Sequence, residues 1–373
     1  MTLSRRKTLG LIGGGTVLAA AAGLGLFAAT RTPHAALAPW DMAGQYPDPR
    51  LRALSHALLA PNPHNRQPWE AELIGDDTVA IWRDPARDLP VTDPDARQLT
   101  IGMGSFLDLM RMAAAEEGYG IDQTLFPEGE AGPVALCRFI AGGAQPDPLF
   151  AHVLQRRSHK EMFQDRALDA AALDSIAPHV DLVAQGADAV ALRDLATEAW
   201  LIEAGTPDAW KESIDLLRIG KAEINAQPDG IDLGGATFEL LNRTGLLTRE
   251  ASLDPTTMAA QGAIQGTVDA IASAPALVVQ TSPTNTRADQ IATGARWLRL
   301  NLAATGAGLG VRPVSQALQE YPEMTALYDA IHAAYAPDGG TVQMLGLLGY
   351  AAPTARTPRW PIDARMRPRP GNA

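Results

Sequence analysis

The sequence predicts an α+β protein in which helices pack against sheets, and three observations carry that reading. Segments with apolar residues at helical spacing alternate with short runs that are continuously apolar or alternate apolar and polar. Clusters of Gly, Pro, Asn and Asp punctuate them. The alternation runs through one stretch of chain and then begins again in a second.

After a Pro-rich spacer around Pro47-Asp48-Pro49, Leu51, Leu54 and Leu58 give residues 50–60 a helical stripe. It stops at Pro61-Asn62-Pro63, because proline cannot continue a helix. Residues 70–74 and 78–82 read as strands joined by the turn Gly75-Asp76-Asp77. Asp93-Pro94-Asp95 opens a long helix that passes Leu109 towards Glu117 and ends at Gly118. A strand over 134–140 closes the first stretch. In the second, a helix leads into Gln155-Arg156-Arg157-Ser158, and further helices start at Asp169 and Asp188. A strand over 276–280 precedes a helix over 287–305, and a last apolar run, 342–348, ends in Gly349-Tyr350. Between Gly205 and Gln265 the pattern loosens. A segment of that length within a compact chain is usually functional or mobile, so a lid-like insertion is expected over 205–265.

A length of 373 residues suggests roughly two units, and a hydrophobic share of 46% is enough to bury a sizeable core. The formal net charge of −11 argues against nucleic acid, whose binding draws on a basic face, but leaves room for a small anion held by a few arginines. With Cys137 as its one cysteine, the chain can form neither an intramolecular disulfide nor a cysteine-based metal site. Cys137 lies in the apolar run Val134-Ala135-Leu136-Cys137-Arg138-Phe139 and reads as a small core hydrophobe.

The N-terminus reads as an address. Ser4-Arg5-Arg6-Lys7-Thr8-Leu9 precedes an uncharged Gly/Ala-rich run over 9–29, the form of a twin-arginine export signal, with Thr8 where phenylalanine is common. The glycines at 10–15 lack the preceding strand and the ribose-binding acid of a dinucleotide loop. Ala36-Leu37-Ala38 has the small-x-small form of a cleavage site, but Pro39 follows it directly and hinders cutting. The run is about long enough to span a bilayer core, so a cleaved signal and a retained anchor both stay open. Residues 1–38 are accordingly expected to lie outside the fold, with the protein exported to the periplasm by the twin-arginine translocase.

Four stretches carry the chemistry. They are His64-Asn65-Arg66-Gln67-Pro68-Trp69; Arg156-Arg157-Ser158-His159-Lys160; Gly306-Ala307-Gly308-Leu309-Gly310-Val311-Arg312-Pro313-Val314-Ser315-Gln316; and Gly349-Tyr350 with Arg356 and Pro358-Arg359-Trp360-Pro361. Singly, each has a structural explanation: a turn with a buried tryptophan, a solvated helix face, a helix C-cap, a tail charge. Together and in this order they resemble the nitroreductase superfamily, and within it the Acg family of single-chain flavin-binding proteins. The likeness runs from about Arg50 to Asp363, and Asp93-Pro94-Asp95-Ala96-Arg97-Gln98 is similar to the family's acidic loop.

The resemblance implies a nitroreductase-like fold of two fused half-domains with antiparallel-rich sheets, a pseudo-dimer with its halves at 39–145 and 146–373. It further implies FMN as cofactor. Arg156, Ser158 and Arg359 match the phosphate positions, where guanidinium forks and a hydroxyl suit a dianion, and Arg157 of the same segment is a further cofactor-binding candidate. Lys160 would reach the ribityl or ring end. His64, Asn65 and Gln67 stand in the loop matched to the pyrimidine edge and ribityl hydroxyls. Gly308, Leu309 and Gly310 would let backbone approach a flat ring, and the backbone N–H groups of Pro313-Val314-Ser315-Gln316, from Val314 on, would face its N5 side. The superfamily often has Glu-Gly where this chain has Ser315-Gln316, a change expected to affect the substrate side. FMN would carry the redox chemistry, with no catalytic side chain and no metal. Electrons would pass from NAD(P)H, a quinol or a redox protein to a nitroaromatic, quinone or similar small acceptor. Because nicotinamide cofactors are cytoplasmic, a flavin-sequestering or storage protein is the alternative, and a flavin-free scaffold a third. The chain would be a monomeric pseudo-dimer or a homodimer. Arg66, Arg312 and Trp210 could touch substrate, although Trp210 reads better as core.

Overall fold

The computed structural model describes residues 30–368. Arg5-Arg6 and the apolar run over 9–29 lie outside the described residues. Helix α1 (His34–Met42) buries Ala36, Pro39 and Trp40. The Ala36 carbonyl accepts from the Arg359 amide at 2.9 Å, and Trp40 Nε1 donates to the Thr357 carbonyl at 2.8 Å. Residues 34–38 therefore belong to the fold, which corrects the expected boundary at 38. Ala36-Leu37-Ala38 sits in a helix that the C-terminal tail packs against.

Helix α2 (Pro49–Ala57) begins where Asp48 accepts from the Arg50 amide and proline occupies the first turn. Strands β1 (Trp69–Ile74) and β2 (Thr78–Arg83) pair across the short turn. Helix α3 (Arg97–Glu116) follows, its first amides held by Asp93, which accepts from Gln98 N and Leu99 N at 2.9 Å each. Strands β3 (Tyr119–Leu125) and β4 (Ala135–Ala141) complete an antiparallel sheet ordered β1-β2-β4-β3.

The second stretch holds α4 (Ala170–Ile176), β5 (Leu182–Gln185) and α5 (Gly186–Gly205). Next come α6 (Pro207–Asp215), β6 (Leu217–Ile219), α7 (Gly220–Ala226), β7 (Ile231–Leu233), α8 (Ala236–Arg243), α9 (Arg249–Leu253) and α10 (Met258–Ser273). Then follow β8 (Ala276–Ser282), α11 (Arg287–Gly306), β9 (Leu309–Pro313), α12 (Thr325–Tyr335) and β10 (Thr341–Tyr350). The second antiparallel sheet is ordered β5-β8-β10-β9. Both sheets share one connection order: an edge strand, its neighbour, a 20-residue helix, the far edge strand, and the strand between.

Burial explains the patterns. In β4, Ala135, Cys137 and Phe139 are buried while Arg138 is exposed, so Cys137 is a core residue, its thiol pushed up to about 12 by burial. Strand β10 is buried along its whole length, because helices cover both faces of the second sheet.

Helices α3 and α11 cross at the centre. A Cβ on Gly104 would lie 2.1 Å from the Ile291 carbonyl oxygen, and one on Gly294 would lie 1.9 Å from that of Ile101. The contact is reciprocal, each glycine standing one turn beyond the isoleucine that meets its partner. Ser105 Oγ donates to the Gly294 carbonyl at 2.7 Å across the same crossing.

The expected strands over 70–74, 78–82, 134–140, 276–280 and 342–348 are present with slightly wider bounds. Five strands escaped the sequence reading, β6 and β7 of the 205–265 region and three others. β3 starts directly after a helix and carries little burial contrast, β5 has only four residues, and β9 contains Gly310 within a stretch read as a turn. The helix expected before Arg156 is only a 3-10 turn, Pro148–His152, and α12 was not anticipated. The 205–265 region is an ordered helical insertion with a parallel pair, β6 and β7. Its core contains Trp210, Ile214, Leu217, Ile219 and Leu247, and Trp210 Nε1 donates to the Ser252 carbonyl at 2.9 Å, a core role.

Gly294→Ala should cost about 1–3 kcal/mol in urea unfolding, since the added methyl meets backbone that cannot swing aside. Gly262→Ala in α10, where a Cβ would meet nothing, should leave stability unchanged or raise it by up to about 1 kcal/mol.

Candidate functional site

The loop after α2 is where backbone strain collects. His64, Asn65 and Gln67 have φ of 46°, 50° and 50°, a left-handed conformation that side-chain-bearing residues seldom adopt. The loop is held from several directions. The Gln67 amide donates to Asn62 Oδ1 at 2.7 Å, Gln67 Nε2 to the Pro228 carbonyl at 2.7 Å, and Gln67 Oε1 accepts from the Trp360 amide at 2.9 Å. Asn65 Nδ2 donates to the Pro358 carbonyl at 3.1 Å, and its Oδ1 accepts from Arg359 Nη1. Both ends of each amide are thereby committed within the protein. Gln67 thus ties the loop to the insertion and the tail, and Asn65 holds Arg359.

Arg156 and Arg359 are each 3% exposed, and the Nη2 of each donates to the Leu59 carbonyl, at 2.8 Å and 3.3 Å. The Arg157 guanidinium lies 4.3 Å from the Trp40 ring centre, with that of Arg359 at 5.9 Å. Among the described residues, Arg156 Nη1, Arg157 Nε and Arg359 Nε are buried without an acceptor. Burial pushes Arg156 down to about 9, helped by the positive charges of Arg359 and Arg157. Burial likewise takes Arg359 to about 9, with Asp232 opposing the shift and Arg157 adding to it. Arg157 is lowered to about 10 by burial and by Arg356. Buried guanidinium groups with spare donors, crowded by like charge, suit a small anion.

Beside the cluster, a cavity of about 200 Å³ opens at the helix crossing. Of the candidate site residues, His64, Ser158, Pro313, Ser315 and Gln316 line it. Burial lowers the His64 pKa, with Glu212 opposing and Arg66 assisting. Arg157, Gly308, Leu309 and Gly310 border a different cleft of about 400 Å³. Gly308, at φ 73°, caps α11, and Gly310 makes room for His159 and Ala351. Val314 is in the core, and Lys160 pairs with Asp232 of the insertion at 2.6 Å. Arg66 holds the carbonyls of Ala86 and Arg87, while Arg312 holds those of Lys160 and the hydroxyl of Thr267.

No family model matches the chain. Over 75 residues it is 39% identical to the candidate NAD(P)H nitroreductase Acg from two strains of Mycobacterium tuberculosis, a stretch covering 20% of this chain and 22% of those proteins. Among solved structures, similarity is found to an FMN-dependent nitroreductase, NfnB, of Mycobacterium smegmatis in complex with NADPH. The identity is 17%, covering 59% of this chain and 97% of that one, with a TM-score of 0.35. A candidate nitroreductase from Anabaena variabilis is 12% identical over 79% of this chain and 82% of its own, with a TM-score of 0.39.

The cavity also takes in Asn62, Gln98, Gly102, Ser105, Trp297, Gln319 and Met344, which sequence reasoning missed. One signal was available. Gly102 and Gly104 stand in the interior of a long helix, where glycine is costly unless something approaches closely. At Gly102 a Cβ would meet Asn62 Cβ at 3.0 Å and Pro63 Cδ at 3.1 Å, so the glycine admits the strained loop. Among the described residues no cluster of His, Cys, Asp or Glu could hold a metal.

Next to the residues that meet this loop, Asp229 of the insertion is 2% exposed and accepts from Arg87 at 2.6 Å, Arg218 at 2.8 Å and Trp360 Nε1 at 3.3 Å. Burial alone would raise the Asp229 pKa, but Arg87 and Arg218 outweigh it and hold it below the usual value. Its stabilisation is therefore complete above the unfolded carboxyl value and is lost as pH falls through the folded one. Asp229→Asn should cost on the order of 3–5 kcal/mol at neutral pH. The gap from wild type should narrow on acidification below about pH 4, as followed by urea titrations across pH.

Proposed function

We propose that the chain is an FMN-dependent, nitroreductase-like oxidoreductase whose phosphate end is the arginine cluster and whose ring end is the cavity at the helix crossing. The observation that carries the reading is the set of buried donors on Arg156, Arg157 and Arg359 with no acceptor among the described residues. A dianionic phosphate is the complement they lack, and Ser158 stands between them and the cavity. The similarity to the mycobacterial NAD(P)H nitroreductase supports a nicotinamide donor and a small-molecule acceptor. Bound FMN would supply the electron transfer itself. The protein's part is to neutralise the phosphate, seat the ring between Trp297 and the strained loop, and keep water from the arginines. The repeated sheet order supports a fused pair of halves around one site. However, the tail crosses over: Arg367 N donates to the Ala71 carbonyl at 2.8 Å, so residues 356–367 pack on the first half.

A second reading, flavin sequestration, draws on the insertion, which covers the Asn65–Gln67 loop through Pro228 and Gly230. Reduction of bound flavin by added nicotinamide or quinol would favour turnover, and a flavin inert to both would favour storage.

Arg156→Ala and Arg359→Ala should each weaken FMN by about ten- to a hundredfold and leave riboflavin, which has no phosphate, nearly unaffected. Asn65→Ala should follow the same pattern, since its amide positions Arg359. Fluorescence titration of the flavin-free protein with both ligands checks this. Equal losses for the two flavins would place the phosphate elsewhere.

We further propose export by the twin-arginine route, supported by Ser4-Arg5-Arg6 ahead of the uncharged run over 9–29. Replacing Arg5 and Arg6 together by lysine should strand the protein in the cytoplasm on fractionation. Unchanged delivery would point to the general secretory route.

A further inference from the structure

Behind the cavity lies a carboxyl group with no cationic partner among the described residues. Glu203, on α5, is 1% exposed. Its Oε1 accepts from Ser213 Oγ at 3.1 Å and its Oε2 from Gln319 Nε2 at 2.9 Å, with Gln316 also donating to it. Burial raises its pKa, and these hydrogen bonds oppose the rise. Gln319 is 3% exposed and lines the cavity. Its nitrogen is taken by Glu203, which fixes the orientation of the amide, since a carboxylate offers acceptors only. Gln319 Oε1 is left buried and without a donor among the described residues.

A fixed, buried acceptor at a ligand cavity calls for a donor on the ligand, because leaving it unpaired costs free energy. An oxidised isoalloxazine ring carries one N–H, on the pyrimidine edge at N3. The sequence reading gave that edge to Asn65 and Gln67, whose amides are committed elsewhere. Resting on the flavin reading above, we propose that Gln319 accepts the ring N3–H. Glu203 is its positioning residue, holding the acceptor towards the cavity. The site would thereby select ring systems with an N–H on that edge.

The test is a fluorescence titration of the flavin-free full-length protein with FMN and with N3-methyl-FMN. Wild type should bind FMN about tenfold more tightly. Gln319→Leu should bind both flavins alike, at the weaker level. Glu203→Gln should lose most of the preference, because its amide can pair with Gln319 in either orientation. If wild type binds both flavins equally, the inference is overturned while the flavin reading stands. A preference that persists in Gln319→Leu would also overturn it, since shape rather than the acceptor would then reject the methyl group. Failure of wild type to bind FMN at all would instead sink the flavin reading. Should Gln319→Leu not fold, the wild-type preference and the Glu203→Gln arm still decide.

Discussion

Backbone contact between α3 and α11 at Gly104 and Gly294 sets the geometry on which the site depends. With no side chain at either glycine, each helix meets the other's carbonyl oxygens directly, and Ser105 spends its hydroxyl across the gap. Ile101, Gly102 and Ser105 from one helix then face Trp297 from the other around a single cavity. The same crossing makes the two sheets interdependent. Ile291, Leu298 and Leu302 of α11 complete the core of the first sheet, and Ile101 of α3 enters that of the second. Neither sheet has a finished core without the other's helix.

The treatment of arginine separates structure from site. Most buried arginines that serve the fold have a carboxylate beside them, Arg50 with Asp48, Arg97 with Glu320, Arg218 with Asp229 and Arg365 with Asp84, while Arg66 has the carbonyls of Ala86 and Arg87. Each pairing offsets part of the desolvation cost of the charge. Arg156 and Arg359 have instead the carbonyls of Leu59 and Ala60, which satisfy some N–H groups and neutralise nothing. Asp232 is near enough to influence Arg359 but takes its ion pair from Lys160. Arg156 and Arg359 combine deep burial with mutual repulsion and spare donors, which suits an anionic ligand.

The sequence made residue identities legible more readily than residue roles. Helical stripes and strand runs were readable because period and burial coincide, as in 287–306 and along β10. Arg156, Ser158 and Arg359 could be picked out because guanidinium and hydroxyl groups in that order suit an anion. A motif does not reveal which ends of a side chain are already spent. Asn65 and Gln67 look like ligand contacts in the sequence, yet in the fold their amides bridge the loop to the tail and the insertion. Gly308 and Gly310 match a ring-facing turn in the sequence, yet one caps a helix and the other admits His159. Gln319 went unnoticed because nothing local distinguishes it. Its significance comes from Glu203, more than a hundred residues earlier.

The arginine cluster draws on distant parts of the chain. Leu59 and Asn65 come from near its beginning, Arg156 to Ser158 from the middle, and Arg359 from the returning tail. Pro228 and Trp360 add to the Asn62 contact that holds Gln67, so the docked insertion and tail help to fix the strained loop. A phosphate that neutralised Arg156 and Arg359 would bind the folded chain alone and would stabilise it by mass action. Such a site cannot exist in a chain threaded through a pore in an extended state. Under the export proposed above, the chain would cross the membrane already folded, with its anion in place.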